Sequence, residues 1–263
     1  PDFGYITNFG KAHLEGFGGV EGVIAGKSEM YQYLAANQKT VFVNLEDPIQ
    51  IEKSKGINSF TFGVKKENTD LNIQEITADP FVNVTYDNFV IESHLIGLYN
   101  ANNINAAVAI GEYFEVKEND IKAAIENYIP ANNRSQMMQK GSNEIILDAY
   151  NANPSSMAVA ITNFLQLNNS NKIMILGDMF ELGNESLYEH KVIVDSLAEQ
   201  NQALCFLIGK SFYANQIQKE NLRFFETFDS LAAYLQEFKF DSNTILIKGS
   251  RGMALERTLE YIS

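Results

Sequence analysis

The stretch Ile145-Ile146-Leu147-Asp148-Ala149-Tyr150-Asn151-Ala152-Asn153-Pro154-Ser155-Ser156-Met157 decides the fold. An apolar, β-type run stops abruptly at Asp148. Tyr150, Asn151 and Asn153 follow, and then Pro154-Ser-Ser opens a helix. Proline suits the first helical turn, where its missing N–H removes no hydrogen bond. A strand–loop–helix junction of this kind gathers polar groups outside the carboxyl end of a strand, where open α/β sheets bind ligands. A loop built only to turn the chain needs no such set of Asp, Tyr and two Asn.

Downstream of Gly141 the same rhythm repeats. Apolar runs predict strands at 143–148, 172–177, 203–208, 222–226 and 243–248. Amphipathic stretches between them predict helices at 155–167, 187–200, 211–219, 229–238 and 252–261. This alternation implies βαβ units and a mostly parallel sheet. Upstream the pattern is mixed. It predicts a short strand at 4–8, a helix at 20–38 striped by Val23, Met30, Tyr31 and Leu34, and a strand at 40–45. A hairpin is expected over 77–96 around Asp87-Asn88, then helices at 99–114 and 118–128. The change of rhythm near Pro130 predicts a domain boundary, with 1–130 and 131–263 as the two parts of an α/β protein.

Composition narrows the function classes. The chain has 263 residues, 45% hydrophobic and 20% charged, which fits one or two globular domains. Its net charge of −13 argues against non-specific binding to nucleic acid or anionic membrane, both of which need clustered Lys and Arg. No apolar run approaches a membrane span, so membrane insertion is not expected. The chain opens Pro-Asp-Phe-Gly, without Met or a signal-peptide pattern, as a trimmed chain would. One cysteine, Cys205, lies in an apolar run; it excludes an internal disulfide, reads as core and fits a reducing cytoplasm.

Several further motifs carry chemistry, each with a plainer alternative. No G-x-x-x-x-G-K-[ST] phosphate loop occurs, and the glycines from Gly16 to Gly22 miss the dinucleotide spacing by one residue. Thr7-Asn-Phe-Gly-Lys-Ala-His13-Leu-Glu15 is a polar loop after a strand, where a lone His is often only solvated. Lys27 stands on the next helix, where a lysine is ordinarily a solvated charge. Asn100 and Asn103 share a helix face and could read a base edge, or Asn100 could simply cap the helix. Arg134 sits at the boundary, where a guanidinium can clamp an oxyanion bidentately or serve as an ordinary surface charge. Gly177-Asp178-Met-Phe-Glu181-Leu-Gly183 and Lys248-Gly249-Ser250-Arg251-Gly252 follow strands, which puts them on the same sheet edge as Asp148. His94 and His190 read as structural.

Together, in order along the chain, these segments resemble the Mur ligases, the ATP-dependent amide-forming enzymes of peptidoglycan synthesis. The matching text is Ile-Thr-Asn-Phe-Gly-Lys-Ala-His-Leu-Glu-Gly-Phe-Gly, Tyr-Asn-Ala-Asn-Asn, Asn-Asn-Arg-Ser-Gln, Asp-Ala-Tyr-Asn-Ala-Asn-Pro-Ser-Ser-Met, Leu-Gly-Asp-Met-Phe-Glu-Leu-Gly and Lys-Gly-Ser-Arg-Gly. The resemblance implies the later part of a central ATPase domain followed by a Rossmann-like domain. The Asp-Ala-Tyr-Asn-Ala-Asn-Pro and Asn-Asn-Arg-Ser-Gln forms favour the branch that joins D-Ala-D-Ala to UDP-MurNAc-tripeptide.

What the resemblance implies for individual residues is as follows. His13 matches a histidine that binds Mg²⁺, and Lys27 a lysine that family members carbamylate and use at the metal. Asn100 and Asn103 match an adenine-contacting pair. Arg134 matches an arginine reaching ATP phosphates, and Asp148 and Tyr150 match groups holding the nucleotide. Asn151, Asn153, Asp178 and Ser250 match the region of the incoming dipeptide. ATP and Mg²⁺ are the implied cofactors, and the expectation is a cytoplasmic monomer. The family's UDP-sugar domain, its phosphate loop and an upstream metal-binding Glu find no match here, so these residues alone are expected to be inactive. The alternatives are a sister amide ligase, including a folylpolyglutamate synthase, a nucleotide- or dipeptide-binding module without catalysis, and a dinucleotide-dependent oxidoreductase.

Overall fold

A computed structural model describes residues 1–263 except 12, 132 and 170. The chain forms two compact units, one of residues 1–10 and 17–129 and one of residues 11–16 and 130–263.

In chain order the first part contains β1 (Phe3–Gly4), the single-turn α1 (Leu14–Phe17), α2 (Val20–Ala36), β2 (Thr40–Asn44), α3 (Pro48–Lys53), β3 (Asn58–Val64) and β4 (Leu71–Ile73). It continues through β5 (Glu75–Ala78), β6 (Phe81–Tyr86), β7 (Phe89–Ile96), α4 (Ala101–Tyr113) and α5 (Glu118–Glu126). β1 to β4 form a parallel sheet in sequence order, and β5 to β7 an antiparallel one. Alternation along β2 sorts its side chains between two cores. Val41 and Val43 pack with Tyr31 and Leu34 of α2. Phe42 packs on the other side with Phe62, Val84, Ile91 and with Ile104 and Val108 of α4. The helix stripe Val23, Tyr31 and Leu34 is buried as its 3.6-residue spacing requires, whereas Met30 is only partly covered.

The second unit carries β8 (Gln136–Lys140), β9 (Asn143–Asp148), α6 (Pro154–Gln166), β10 (Lys172–Gly177), α7 (Ser186–Ala198) and β11 (Ala203–Ile208). Then come α8 (Lys210–Ala214), β12 (Leu222–Phe225), α9 (Phe228–Glu237) and β13 (Thr244–Lys248). The sheet order is β12-β11-β10-β13-β9-β8, parallel throughout except for the antiparallel edge strand β8. Ile145, Leu147, Ile173, Ile175, Phe206, Ile245 and Ile247 share one core with Leu231 and Leu235 of α9. The alternate residues Ile146, Met174, Cys205, Leu207 and Leu246 are equally buried. A sheet buried on both faces explains why these strands read as continuous apolar runs.

β13 returns between β9 and β10, so three strand ends become neighbours. Their following loops begin at Asp148, Asp178 and Gly249, on one edge of the sheet.

Several boundaries differ from expectation. The strand expected at 4–8 is confined to Phe3–Gly4. The helix expected at 211–219 stops at Ala214, where the Asn215 side chain bonds back to the carbonyls of Ser211 and Leu187. The helix expected at 252–261 is instead two 3₁₀ segments, Arg251–Met253 and Leu255–Tyr261. Ala254 between them is left-handed (φ 47°), which an α-helix cannot accommodate.

Candidate functional site

α6 begins as its sequence dictates. Asn153 is the N-cap, Pro154 follows, and Asn153 Oδ1 accepts the Ser156 N–H at 2.9 Å while Ser156 Oγ accepts the Asn153 N–H at 3.1 Å. This reciprocal cap fixes the end of the 148–153 loop. Asn153 therefore has a local structural partner. Asn151 is exposed, and its Oδ1 accepts the next N–H, that of Ala152, at 2.9 Å.

Asp148 occupies the last rung of the β9·β13 ladder, directly opposite Lys248. Its Oδ2 accepts from Lys248 Nζ at 2.6 Å, and its Oδ1 accepts the Ser135 N–H at 3.1 Å. Lys248 also reaches the Asn151 carbonyl at 3.3 Å. Asn133 and Ser135 are both left-handed, with φ of 58° and 45°. Asn133 O accepts the Tyr150 N–H at 3.1 Å, so the 133–135 turn is tied to the β9 loop on both sides of Arg134. Arg134 extends over the Tyr150 ring, 3.7 Å from its centre. Among the described residues no carboxylate pairs with Arg134.

Asp178 and Ser250 face inward. Asp178 Oδ1 and Oδ2 accept the Phe212 and Ser211 N–H groups at 3.0 and 2.9 Å, which satisfies the start of α8. Its carboxylate lies against Gly209, where an added Cβ would come within 2.3 Å of it, and Gly209 has a φ of 126°. Ser250 Oγ accepts the Phe180 N–H at 2.8 Å and donates to the Ala152 carbonyl at 3.4 Å, stitching together the loops after β10 and β9.

His190 is fully buried. Its Nε2 accepts the Met179 N–H at 2.9 Å and its Nδ1 lies 2.6 Å from the Ser186 carbonyl, a pairing that only the neutral Nδ1–H tautomer makes. Burial pushes its pKa below the ordinary imidazole value, despite Asp178 at 3.4 Å. The structural reading of His190 thus acquires a definite task, holding the loop that starts at Asp178.

Residues 11–16 belong with this unit. Lys11 Nζ pairs with the buried Glu189 at 2.6 Å, and its N–H donates to Ser155 Oγ at 3.2 Å. His13 is left-handed and its Nδ1 meets the Glu181 carboxylate. The Glu15 N–H donates to the Glu181 carbonyl at 3.2 Å.

In the first unit, Lys27 donates to the Asn8 carbonyl at 2.8 Å, and burial lowers its pKa. Asn100 does not cap α4. A 3₁₀ turn at Leu98–Asn100 precedes the helix, and the buried Asn100 donates to the Ile96 carbonyl at 2.8 Å. Its Oδ1 accepts Asn103 Nδ2 at 3.0 Å, which steers the exposed Asn103 carboxamide.

The sequence motifs include Lys248 and Ser135 but assign neither a role. Lys248 carried a usable signal: a lysine closing the apolar run Thr-Ile-Leu-Ile needs a buried anion. Ser135 acts through its backbone, which residue type does not disclose.

Known proteins share this fold. Residues 1–111 match the Mur ligase middle domain, and residues 133–251 match the Mur ligase, glutamate ligase domain. UDP-N-acetylmuramoyl-tripeptide--D-alanyl-D-alanine ligase of Bacillus subtilis (strain 168) is 27% identical over 277 residues, covering 99% of this chain and 59% of that protein. The ligase of the same name from Rickettsia prowazekii (strain Madrid E) is 27% identical over 275 residues, covering 99% and 61%. The crystal structure of MurF from Acinetobacter baumannii is similar with a TM-score of 0.83 at 30% identity, covering 99% of this chain and 59% of that one. The chain thus spans 59% to 61% of the length of these relatives. With both domains matched in order and relatives aligned across 99% of its length, the chain belongs to the Mur ligase family.

Proposed function

We propose that the protein containing this chain joins D-Ala-D-Ala to UDP-MurNAc-tripeptide at the expense of ATP, in the cytoplasmic stage of peptidoglycan synthesis. The observation that carries this reading is the likeness to D-alanyl-D-alanine-adding ligases over 99% of the chain. ATP phosphorylates the terminal carboxylate of the tripeptide. The dipeptide amine then attacks the acyl phosphate, and the tetrahedral adduct collapses to amide and phosphate.

Each group has a role suited to its surroundings. Asn103, oriented by Asn100, offers a carboxamide to the adenine edge. Arg134 offers a planar fork of N–H donors to phosphate oxygens, and no carboxylate among the described residues neutralises it. Asp148 and Tyr150 approach the ribose, with lone pairs on Asp148 remaining beside its two partners. Asn151 is exposed beside them and is assigned to the dipeptide. Asn153, Asp178 and Ser250 shape that side of the site by fixing its loops.

Mg²⁺ would neutralise charge on the transferring phosphoryl group. Among the described residues no three His, Cys, Asp or Glu gather into a metal cage. Mg²⁺ keeps waters and phosphate oxygens as most of its ligands, so it would need few from the protein. His13 is a candidate ligand through Nε2, since a carboxylate on the other ring nitrogen is the usual support for a metal-binding imidazole. Lys27 is the other. Burial lowers its pKa and so favours the neutral amine that takes up CO₂, and the carbamate replaces a cation with an oxygen ligand.

The test is ADP release by the full-length protein given UDP-MurNAc-tripeptide and a panel of amines. D-Ala-D-Ala should support turnover, and glutamate and diaminopimelate should not. Equal turnover with either amino acid would move the assignment to a sister ligase. ATP binding without turnover under any pairing would favour a binding module.

A further inference from the structure

We propose that Lys248 is a positioning residue for Arg134, acting through Asp148 and the Ser135 backbone. The inference deepens the function proposed above and rests on Arg134 meeting the nucleotide phosphates.

Lys248 is 2% exposed, and its ammonium has two partners, Asp148 Oδ2 at 2.6 Å and the Asn151 carbonyl at 3.3 Å. Both lie where β9 leaves the sheet, so the lysine fixes the first and fourth residues of the site loop. Asp148 passes the constraint on. With Oδ2 held by Lys248, its Oδ1 is aimed at the Ser135 N–H at 3.1 Å. That bond matters because the turn it holds is costly. Asn133 and Ser135 are both left-handed; asparagine tolerates that conformation, but for Ser135 it is costly and persists where neighbours enforce it. Two bonds do so on either side of Arg134: Asp148 to Ser135, and the Tyr150 N–H to Asn133. Tyr150 then underlies the guanidinium.

An ordinary core ion pair would tie two strands and end there. This pair continues into the turn that carries Arg134, stacked over Tyr150 of the strand-end loop, and its second contact holds that same loop. Loss of the Lys248 charge should therefore loosen the 133–135 turn while leaving the centre of the sheet intact.

The experiment compares Lys248→Met and Lys248→Arg with the wild type by backbone hydrogen exchange and by kinetics in the full-length protein. In Lys248→Met the amides of Ser135 and Tyr150 should exchange at least about tenfold faster, while those of Ile175 and Phe206 keep their protection. kcat for ADP release should fall about tenfold or more. Lys248→Arg, which restores a cation, should recover most of both losses. Should Lys248→Met fail to fold, Lys248→Gln keeps a donor at the position, removes the charge and gives the same readout. Unchanged exchange at Ser135 in the folded neutral variant would overturn the proposal. A wild-type protein without ligase turnover would overturn the function proposed above, and the exchange comparison would still decide the role of Lys248.

Discussion

The guanidinium of Arg134 lies 3.7 Å from the centre of the Tyr150 ring. Arg134 comes from the turn before β8, and Tyr150 from the loop after β9. The ring restricts a long side chain that would otherwise sample many rotamers, and it leaves the guanidinium edge able to donate to an anion. The stacked face, rather than the phenolic hydroxyl, is what this contact uses.

Tyr150→Phe should therefore keep the contact and Tyr150→Ala should lose it. A partly exposed cation–π pair contributes about 0.5–1 kcal/mol, which corresponds to roughly a two- to fivefold loss in kcat/KM for ATP in Tyr150→Ala. Steady-state kinetics of the full-length protein measure this. Equal losses in the two variants would assign Tyr150's effect to its hydroxyl.

His190 should make the second unit acid-sensitive. Its folded pKa lies below the ordinary 6.5 because of burial. Below about pH 6.5 the unfolded chain takes up a proton that the folded chain refuses, so stability is complete above that pH and declines as pH falls toward the folded pKa. Asp178 and Glu189 face the ring and favour the charged form, but burial outweighs them. Urea midpoints at about pH 7.5 and 5 should fall more for wild type than for His190→Gln. Parallel declines would remove His190 as the cause.

Asn153→Ala should cost about 1 kcal/mol through loss of the α6 N-cap, and Asn153→Asp much less. Urea denaturation reads both. An unchanged midpoint in Asn153→Ala would mean that Pro154 alone fixes the helix start.

Cys205 should be inert in the folded protein. It is fully buried, and burial pushes its thiol up to about 12, so hardly any thiolate exists at neutral pH. Ellman's reagent should label it in urea and not before. Rapid labelling under native conditions would show that β11 opens readily.

The sequence disclosed the second unit better than the first for a physical reason. Strands buried on both faces, such as Ile173–Leu176 and Leu204–Ile208, read as unbroken apolar runs. β8 was missed because Gln136-Met-Met-Gln-Lys is an edge strand whose pairing with β9, not its own composition, makes it β. β3, β4 and α3 were missed too: a short strand such as Leu71–Ile73 has too few residues to show a period. At the site, residue type and strand-end position were legible, but side-chain direction was not. Asp178 and Ser250 sit at the expected edge and turn inward to satisfy backbone groups. The sequence signals that Lys248 needs an anion, but that Asp148 supplies it, and that Asp148 also holds the Ser135 amide, becomes visible only when β13 is inserted beside β9.

The proposed reaction forms its amide through an acyl phosphate. Its most direct test is turnover by the full-length protein of UDP-MurNAc-tripeptide labelled with ¹⁸O in the terminal carboxylate, with ATP and D-Ala-D-Ala. Attack of that carboxylate on the γ-phosphoryl group leaves its oxygen in the bridge, and the amine then expels it with the phosphate. Mass spectrometry should find one ¹⁸O in the released phosphate for each amide formed. Amide formation with unlabelled phosphate would contradict the account.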